Sequence, residues 1–219
     1  GGDASLIPLT NPGAIVHFLA AALPVDPPNS TPIGEVTITG TVRQGELLTA
    51  NTDALNDADG LGSFSYQWKA GGVAITGATS STLTLTQDQV GKAITVDVDY
   101  IDGAGTAESK SSAATVDVEN VNDAPTGEVT ITGSASQGST LTANALGIDD
   151  ADGLGTFSYQ WKADSSAISG ATLSTFTLTE AEVGSVITVE VSYTDGGGTD
   201  ETVTSEATNA VTNTNDAPT

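Results

Sequence analysis

Polar and apolar residues alternate along most of the chain after residue 31, in short runs separated by glycine and other turn-forming residues. Phe64, Tyr66 and Trp68, for example, alternate with polar residues, and the stretch 93–101 follows the same pattern. A period of two places the apolar side chains on one face of a β-strand. Frequent turn residues favour several short strands over helices. In the first half of this region the pattern predicts seven strands, near residues 35–39, 46–51, 63–70, 73–76, 82–86, 93–101 and 106–118.

The same pattern occurs twice. Residues 32–126 align without a gap with residues 125–219, and 59 of the 95 aligned positions are identical. A tandem repeat of this size predicts two copies of one domain, because each copy is long enough to enclose a small core. Seven short strands with a tryptophan on the third are typical of an immunoglobulin-like sandwich, so we expect an all-β fold with Trp68 and Trp161 as core anchors. The predicted boundaries are 32–124 for repeat 1 and 125–219 for repeat 2.

Residues 1–31 precede the repeats and differ from them. Asn11-Pro12 has the residue types of a helix start, which predicts a short helix as far as Leu23. The prolines that follow predict a stiff, extended linker. The apolar run from Ala14 to Leu23 has about ten residues, too few to span a bilayer. This leader is either the end of an upstream domain or a segment that mediates self-association.

The chain is strongly acidic, with 28 acidic against 5 basic residues and a net charge of −23. Such a charge repels nucleic acid and anionic membrane surfaces, so we expect neither nucleic-acid binding nor membrane insertion. The sequence contains no cysteine and a single histidine, His17. This inventory lacks the residues of a nucleophilic triad or a zinc site, and we expect a protein that is not an enzyme.

The acidic residues are concentrated at three places that recur in both repeats. Asp-x-Asp-Gly precedes the tryptophan strand, an Asp-Gly pair follows the sixth strand, and an Asn-x-Asn-Asp segment closes each repeat. Calcium prefers six to eight oxygen ligands from carboxylates, amides and the backbone. Three oxygen-rich segments in the same order in both copies therefore favour a calcium site. The alternative explanation is that these acidic loops are only solvated.

These segments resemble those of cadherin-like repeats. Val118-Glu-Asn-Val-Asn-Asp-Ala-Pro125 is similar to the cadherin inter-domain linker, and Asp149-Asp-Ala-Asp-Gly153 and Tyr193-Thr-Asp-Gly196 are similar to its two later acidic motifs. The strand sequences resemble the tandem immunoglobulin-like repeats of large bacterial RTX-type adhesins and surface proteins. The resemblance covers residues 32–219. It implies that calcium is the cofactor and that a junctional site is formed by Asn120, Asn122, Asp123, Asp150, Asp152 and Asp195.

The corresponding site of repeat 1 would use Asp57, Asp59 and Asp102. The segment before this repeat, Asp26-Pro-Pro-Asn-Ser-Thr31, differs from Asn-x-Asn-Asp. Because it lacks the acidic linker residue, we expect repeat 1 to bind calcium more weakly than repeat 2.

The resemblance implies a calcium-stiffened extender module of a secreted or cell-surface bacterial adhesin, whose partners are the neighbouring repeats of the same chain. The alternative is a subunit of an extracellular filament that polymerises through residues 1–31. A carbohydrate-binding module is disfavoured, because the chain has two tryptophans and its pattern gives no exposed aromatic row.

Overall fold

The computed structural model of the protein describes residues 28–214. The helix predicted near residues 11–23, the rest of the leader before residue 28, and the closing residues 215–219 lie outside this range. The described part is nearly all β-structure, with two short 3₁₀ helices, and forms two immunoglobulin-like sandwiches in tandem. The all-β prediction is confirmed.

Alternating apolar residues give repeat 1 all seven of the predicted strands. The last strand ends at Ser111 instead of near residue 118. The residues that follow it are joined by single bridges to the segment before the sixth strand, Val118 to Val90 and Asp117 to Ala93. The strands are β1 (Thr37–Thr39), β2 (Leu47–Asn51), β3 (Ser65–Ala70), β4 (Val73–Ala74), β5 (Thr82–Thr84), β6 (Ile94–Ile101) and β7 (Ala107–Ser111).

Repeat 2 has the same order of elements. Its strands are β8 (Thr130–Thr132), β9 (Thr140–Asn144), β10 (Ser158–Ala163), β11 (Ser166–Ala167), β12 (Thr175–Thr177), β13 (Ile187–Thr194) and β14 (Asp200–Thr204). The 3₁₀ helices Gln87–Gln89 and Glu180–Glu182 occupy equivalent positions before the sixth strand of each repeat. The domain boundary at residue 124 remains a prediction.

Each sandwich consists of one three-stranded and one four-stranded antiparallel sheet. The strand orders are β1-β2-β5 and β4-β3-β6-β7 in repeat 1, and β8-β9-β12 and β11-β10-β13-β14 in repeat 2. The tryptophan of the third strand lies opposite a valine of the sixth, Trp68 beside Val96 and Trp161 beside Val189. The two sheets bury these residues between them.

The two tryptophans are completely buried at the centres of two separate cores. Each indole N–H donates to a backbone carbonyl, that of Ser80 in repeat 1 at 2.8 Å and that of Leu173 in repeat 2 at 2.9 Å. The polar end of each indole is therefore satisfied while its ring fills the core, as burial of tryptophan requires.

The sandwich topology distributes the loops to two opposite ends. The Asp-x-Asp-Gly loop enters the third strand at the end where the sixth strand turns into the seventh, because these strands are paired antiparallel. The opposite end of repeat 1 carries the turn at Gln44, the 3₁₀ helix Gln87–Gln89 and the exit of the chain at Glu119. A hydrogen bond from Gln87 to Asp152 joins this end of repeat 1 to the acidic end of repeat 2.

Candidate metal centre at the junction of the repeats

Two loops form the acidic end of repeat 2, the Asp-x-Asp-Gly loop and the loop after β13. Hydrogen bonds from backbone N–H groups fix the conformation of both. The N–H of Asp152 donates to Oδ1 of Asp150 at 2.9 Å, a side-chain-to-backbone turn typical of aspartate. In the second loop, Oδ1 of Asp195 accepts from the Thr199 N–H at 2.7 Å. The Gly196 N–H donates to the carbonyl of Asp152 at 3.0 Å and ties the loops together. The carboxylates are thus held on a rigid frame.

These loops bring three carboxylates into one group. One carboxylate oxygen from each of Asp150, Asp152 and Asp195 lies within 4.8 Å of the others. The three residues are only 6–8% exposed. Three like charges removed from water repel one another strongly, because the interior screens them less than solvent does. The group therefore requires compensating donors or a cation.

Part of this compensation comes from hydrogen bonds to Asp150 and Asp152. The Tyr193 hydroxyl donates to Oδ2 of Asp150 at 2.6 Å. Burial, reinforced by Asp150 itself, raises the pKa of Tyr193, so the phenol remains a donor. The Asp123 N–H donates to Oδ2 of Asp152 at 2.7 Å. This bond, aided by the amides of Asn120 and Gln87, holds the pKa of Asp152 below its usual value despite burial.

Other oxygen atoms at the same place have no compensation. Oδ2 of Asp195, Oδ1 of Asn120 and Oε1 of Gln87 are buried and have no hydrogen-bond partner among residues 28–214. Asn120 belongs to the linker and Gln87 to repeat 1, so the three atoms come from both sides of the junction. An unsatisfied buried acceptor costs about 1–3 kcal/mol. A cation bound by the carboxylate group would supply the missing partner of Asp195.

The structure places the predicted linker residues in different roles. Asn120 joins the carboxylate group. The side chain of Asn122 instead donates to Oε1 of Glu201 at 2.8 Å. Asp123 faces repeat 2 with its N–H, whereas Oδ2 of its carboxylate accepts from Nε2 of Gln44 at 2.7 Å.

In repeat 1 the group of three consists of Asp57, Asp102 and Glu108. Asp59 is half-buried, and its Oδ2 accepts from the Ser30 N–H at 2.6 Å, as Asp152 accepts from Asp123. Asn29 donates to Glu108 at 2.6 Å, as Asn122 does to Glu201. Residues 29 and 30 therefore contact repeat 1 as the linker contacts repeat 2, with a serine in place of Asp123. Oδ2 of Asp102 is buried and has no hydrogen-bond partner in the described part of the chain.

Sequence reasoning missed Gln44, Gln87 and Glu108. Gln44 also accepts, through Oε1, from the Val121 N–H at 3.0 Å, so that it holds the linker at two points. The repeat itself carried a signal for this residue, because Gln44 and Gln137 are identical in the two copies. No such signal marked Gln87, which is replaced by Glu180 in repeat 2.

The candidate ligands at the junction are carboxylate and amide oxygens. Hard cations such as calcium prefer these ligands, whereas zinc and copper favour nitrogen and sulfur. Across residues 28–214, no helix is long and apolar enough to cross a membrane.

Comparison with protein-family models and with characterised proteins gives no match. Among solved structures, the chain is similar to the three N-terminal domains of the bacteriophage RB49 Highly Immunogenic Outer Capsid protein (Hoc), with a TM-score of 0.29 and 20% identity over 79% of this chain and 58% of that chain. The chain thus spans little more than half of the Hoc structure. The tandem Ig repeats of Dlar give a TM-score of 0.24 and 13% identity over 82% and 95% of the two chains. The fibronectin(III)-like modules of Clostridium thermocellum CbhA give 0.24 and 15% over 83% and 91%.

Proposed function

We propose that this chain is a non-enzymatic extender module of a secreted or cell-surface bacterial adhesin, stiffened by calcium between its two repeats. Each immunoglobulin-like sandwich adds length, and the cation restricts bending where the sandwiches meet. The partners of each repeat are its neighbours in the same chain. The extracellular location and the bacterial source follow from the sequence resemblance to adhesin repeats.

The single observation that carries this proposal is the set of buried oxygens contributed from both sides of the junction. Asp195 supplies a carboxylate oxygen from repeat 2, and Gln87 supplies an amide oxygen from repeat 1. Asn120 supplies another from the linker between them. The side chains of Asn120 and Gln87 hydrogen-bond to Asp152. Together, Asp150, Asp152 and Asp195 carry the negative charge that a divalent ion requires. A cation held by this set contacts both repeats at once.

Such a cation changes the mechanics of the junction. Without it, the carboxylates repel one another, and only residues 120–126 and the hydrogen bonds of Gln44 and Gln87 connect the repeats. With it, the repulsion becomes an attraction to a shared centre, and movement of one sandwich relative to the other separates a ligand from the ion. Calcium in extracellular modules binds at about 10⁻⁴–10⁻³ M, which matches its concentration outside cells better than inside them.

Calorimetry tests the proposal. We expect calcium to raise the melting temperature of the chain relative to EDTA, since ligand at a hundred times its dissociation constant adds about 2.7 kcal/mol. Asp195→Asn removes the unpaired carboxylate oxygen and should abolish most of this gain. The matched control is Asp102→Asn in repeat 1, where the aligned residues are Pro27 and Ser30 in place of Asn120 and Asp123. Equal melting of the wild type in calcium and in EDTA would refute a calcium site.

Small-angle scattering tests the mechanical part. Calcium should narrow the distribution of distances within the wild-type particle, and it should leave that of Asp195→Asn unchanged. A particle that is compact and folded back, with dimensions independent of calcium, would contradict an extender. The filament alternative depends on residues 1–31, most of which lie outside the described range, and no observation on the described residues favours it.

A further inference from the structure

The first residue of the 3₁₀ helix differs in chemical character between the two repeats. Gln87 begins this helix in repeat 1, and Glu180 begins it in repeat 2. The flanking structure is the same, because Thr86 and Thr179 cap the starts of the two helices and their N–H groups donate to the side chains of Gln89 and Glu182. The two side chains thus start from equivalent points on their sandwiches.

In the junction, Gln87 lies half-buried against the acidic end of repeat 2. Its Nε2 donates to Oδ1 of Asp152 at 2.9 Å. A primary amide carries two N–H donors without a charge, so it can satisfy a carboxylate in the absence of any ion. Together with Gln44, which donates to Asp123, it gives repeat 1 two uncharged contacts to the carboxylates that face it.

The end of repeat 2 reproduces the other features of this surface. The Thr214 N–H donates to Oε1 of Gln137 at 3.2 Å, as the Val121 N–H does to Gln44. The chain therefore leaves repeat 2 along the path by which it leaves repeat 1. Its next five residues, 215–219, are identical in sequence to residues 122–126.

The replacement of Gln87 by Glu180 changes how this end of the repeat can contact another repeat. A carboxylate accepts hydrogen bonds but cannot donate them at neutral pH. Placed opposite an aspartate equivalent to Asp152, Glu180 would repel it, whereas Gln87 bonds to it. A divalent cation between the two carboxylates reverses this effect, because both become ligands of one ion.

We propose that the residue at this position decides whether two repeats need a cation to dock. A repeat with glutamate at this position, such as repeat 2 with Glu180, binds the Asp-x-Asp-Gly end of another such repeat only through a divalent cation. The junction containing Gln87 stays docked without one. The binding of a cation at the Glu180 surface rests on the proposed function. The docking of the Gln87 junction in EDTA does not depend on the proposed function.

The first experiment places the residue of repeat 2 in the present junction. The chain has no cysteine, so Val73→Cys and Leu173→Cys, at positions 72% and 70% exposed, allow spin labels on both repeats. Pulsed electron resonance then measures the distance between them. In EDTA we expect one maximum for the Gln87 chain, which calcium narrows without displacing it, and a broad, displaced distribution for Gln87→Glu. Calcium should return Gln87→Glu to the wild-type maximum.

Glu180→Gln is the matched control, since it exchanges the same residue types at the other copy and should leave the distance unchanged. A melting curve in calcium verifies that Gln87→Glu is folded. The proposal is overturned if Gln87→Glu matches the wild type in EDTA, or if calcium fails to restore its distance. A wild type that melts equally in calcium and EDTA, with a cation-dependent Gln87→Glu, would remove the proposed function of the present junction and leave this inference standing.

The second experiment tests the surface at Glu180 directly. Extending the full chain after Thr219 with another copy of residues 127–219 gives it a second junction, of the Glu180 type. Labels on the two last repeats should report docking in calcium and loss of docking in EDTA. Glu180→Gln in this chain should make the second junction docked in both. Docking that ignores calcium with Glu180 in place would overturn the proposal.

Discussion

Gly197 and Asn120 fit together across the junction: a Cβ atom at position 197 would lie 2.7 Å from Nδ2 of Asn120. The absence of a side chain at Gly197 therefore makes room for the linker amide beside Asp195 and Asp152. Repeat 1 has Ala104 at the equivalent position. There the aligned residue of the preceding segment is Pro27 in place of Asn120, so the requirement for glycine is specific to the junction.

This relationship predicts that Gly197→Ala displaces the Asn120 side chain. Position 197 is not in the left-handed region, so the added methyl group acts through space and not through the backbone. We expect a destabilisation of repeat 2 of about 1–3 kcal/mol, typical of overpacking, and a smaller gain in melting temperature from calcium. Ala104→Gly is the control and should leave the calcium response intact. An unchanged calcium response in Gly197→Ala would show that Asn120 is not a ligand.

Tyr193→Phe should destabilise repeat 2. The substitution removes the 2.6 Å hydrogen bond to Asp150 and leaves a buried carboxylate oxygen unsatisfied, which costs about 1–3 kcal/mol. Calcium should reduce the loss, because a cation can satisfy that oxygen. Tyr100→Phe makes the same change at Asp57, at 2.7 Å, and reports on repeat 1. Denaturant unfolding in calcium and in EDTA measures both; equal losses in the two conditions would contradict a cation at Asp150.

The hairpin between β10 and β11 offers a stabilising substitution. Asp164 and Ser165 have φ values of 48° and 70°, and repeat 1 has Gly71 and Gly72 in the same conformation. A side chain is strained in this region of φ, whereas glycine is not. Ser165→Gly should therefore stabilise repeat 2 by about 0.5–1 kcal/mol in thermal unfolding. Gly72→Ser should destabilise repeat 1 by a similar amount, and a loss of stability in Ser165→Gly would be the contrary result.

Asp97 should give a small, pH-dependent contribution to stability. Burial raises its pKa, but hydrogen bonds from Lys69 and Ser111 and the charge of Lys69 outweigh this, so that the pKa lies below the ordinary value of 3.8. A carboxyl group whose pKa is lowered on folding stabilises the protein above its unfolded pKa and loses this effect as pH falls through the folded pKa. Asp97→Asn should cost about 0.2–1 kcal/mol at neutral pH and almost nothing well below pH 3.8. Melting curves across this range provide the measurement; a cost that persists in acid would exclude the ion pair as its origin.

The strands and the acidic segments could be predicted from the sequence, because both depend on residues close together in the chain. Alternation of apolar and polar residues determines which side chains can face a core, and Asp-x-Asp-Gly forms its turn through bonds between Asp150 and Asp152 themselves. The constant 93-residue offset of the repeats also indicated that each acidic loop of one copy had a counterpart in the other.

Only the tertiary structure decided which atoms meet at the junction. Gln87 and Asp152 are 65 residues apart, and their contact depends on how the end of one sandwich meets the end of another. The local sequence likewise leaves open whether the Asp123 carboxylate turns to repeat 2 or, as found, to Gln44. Periodicity describes the faces of single strands, whereas the partners of a side chain at a domain end depend on the packing of several loops at once. For this reason the sequence determined the fold and the residues of the acidic loops, and the tertiary structure determined which of them share a site.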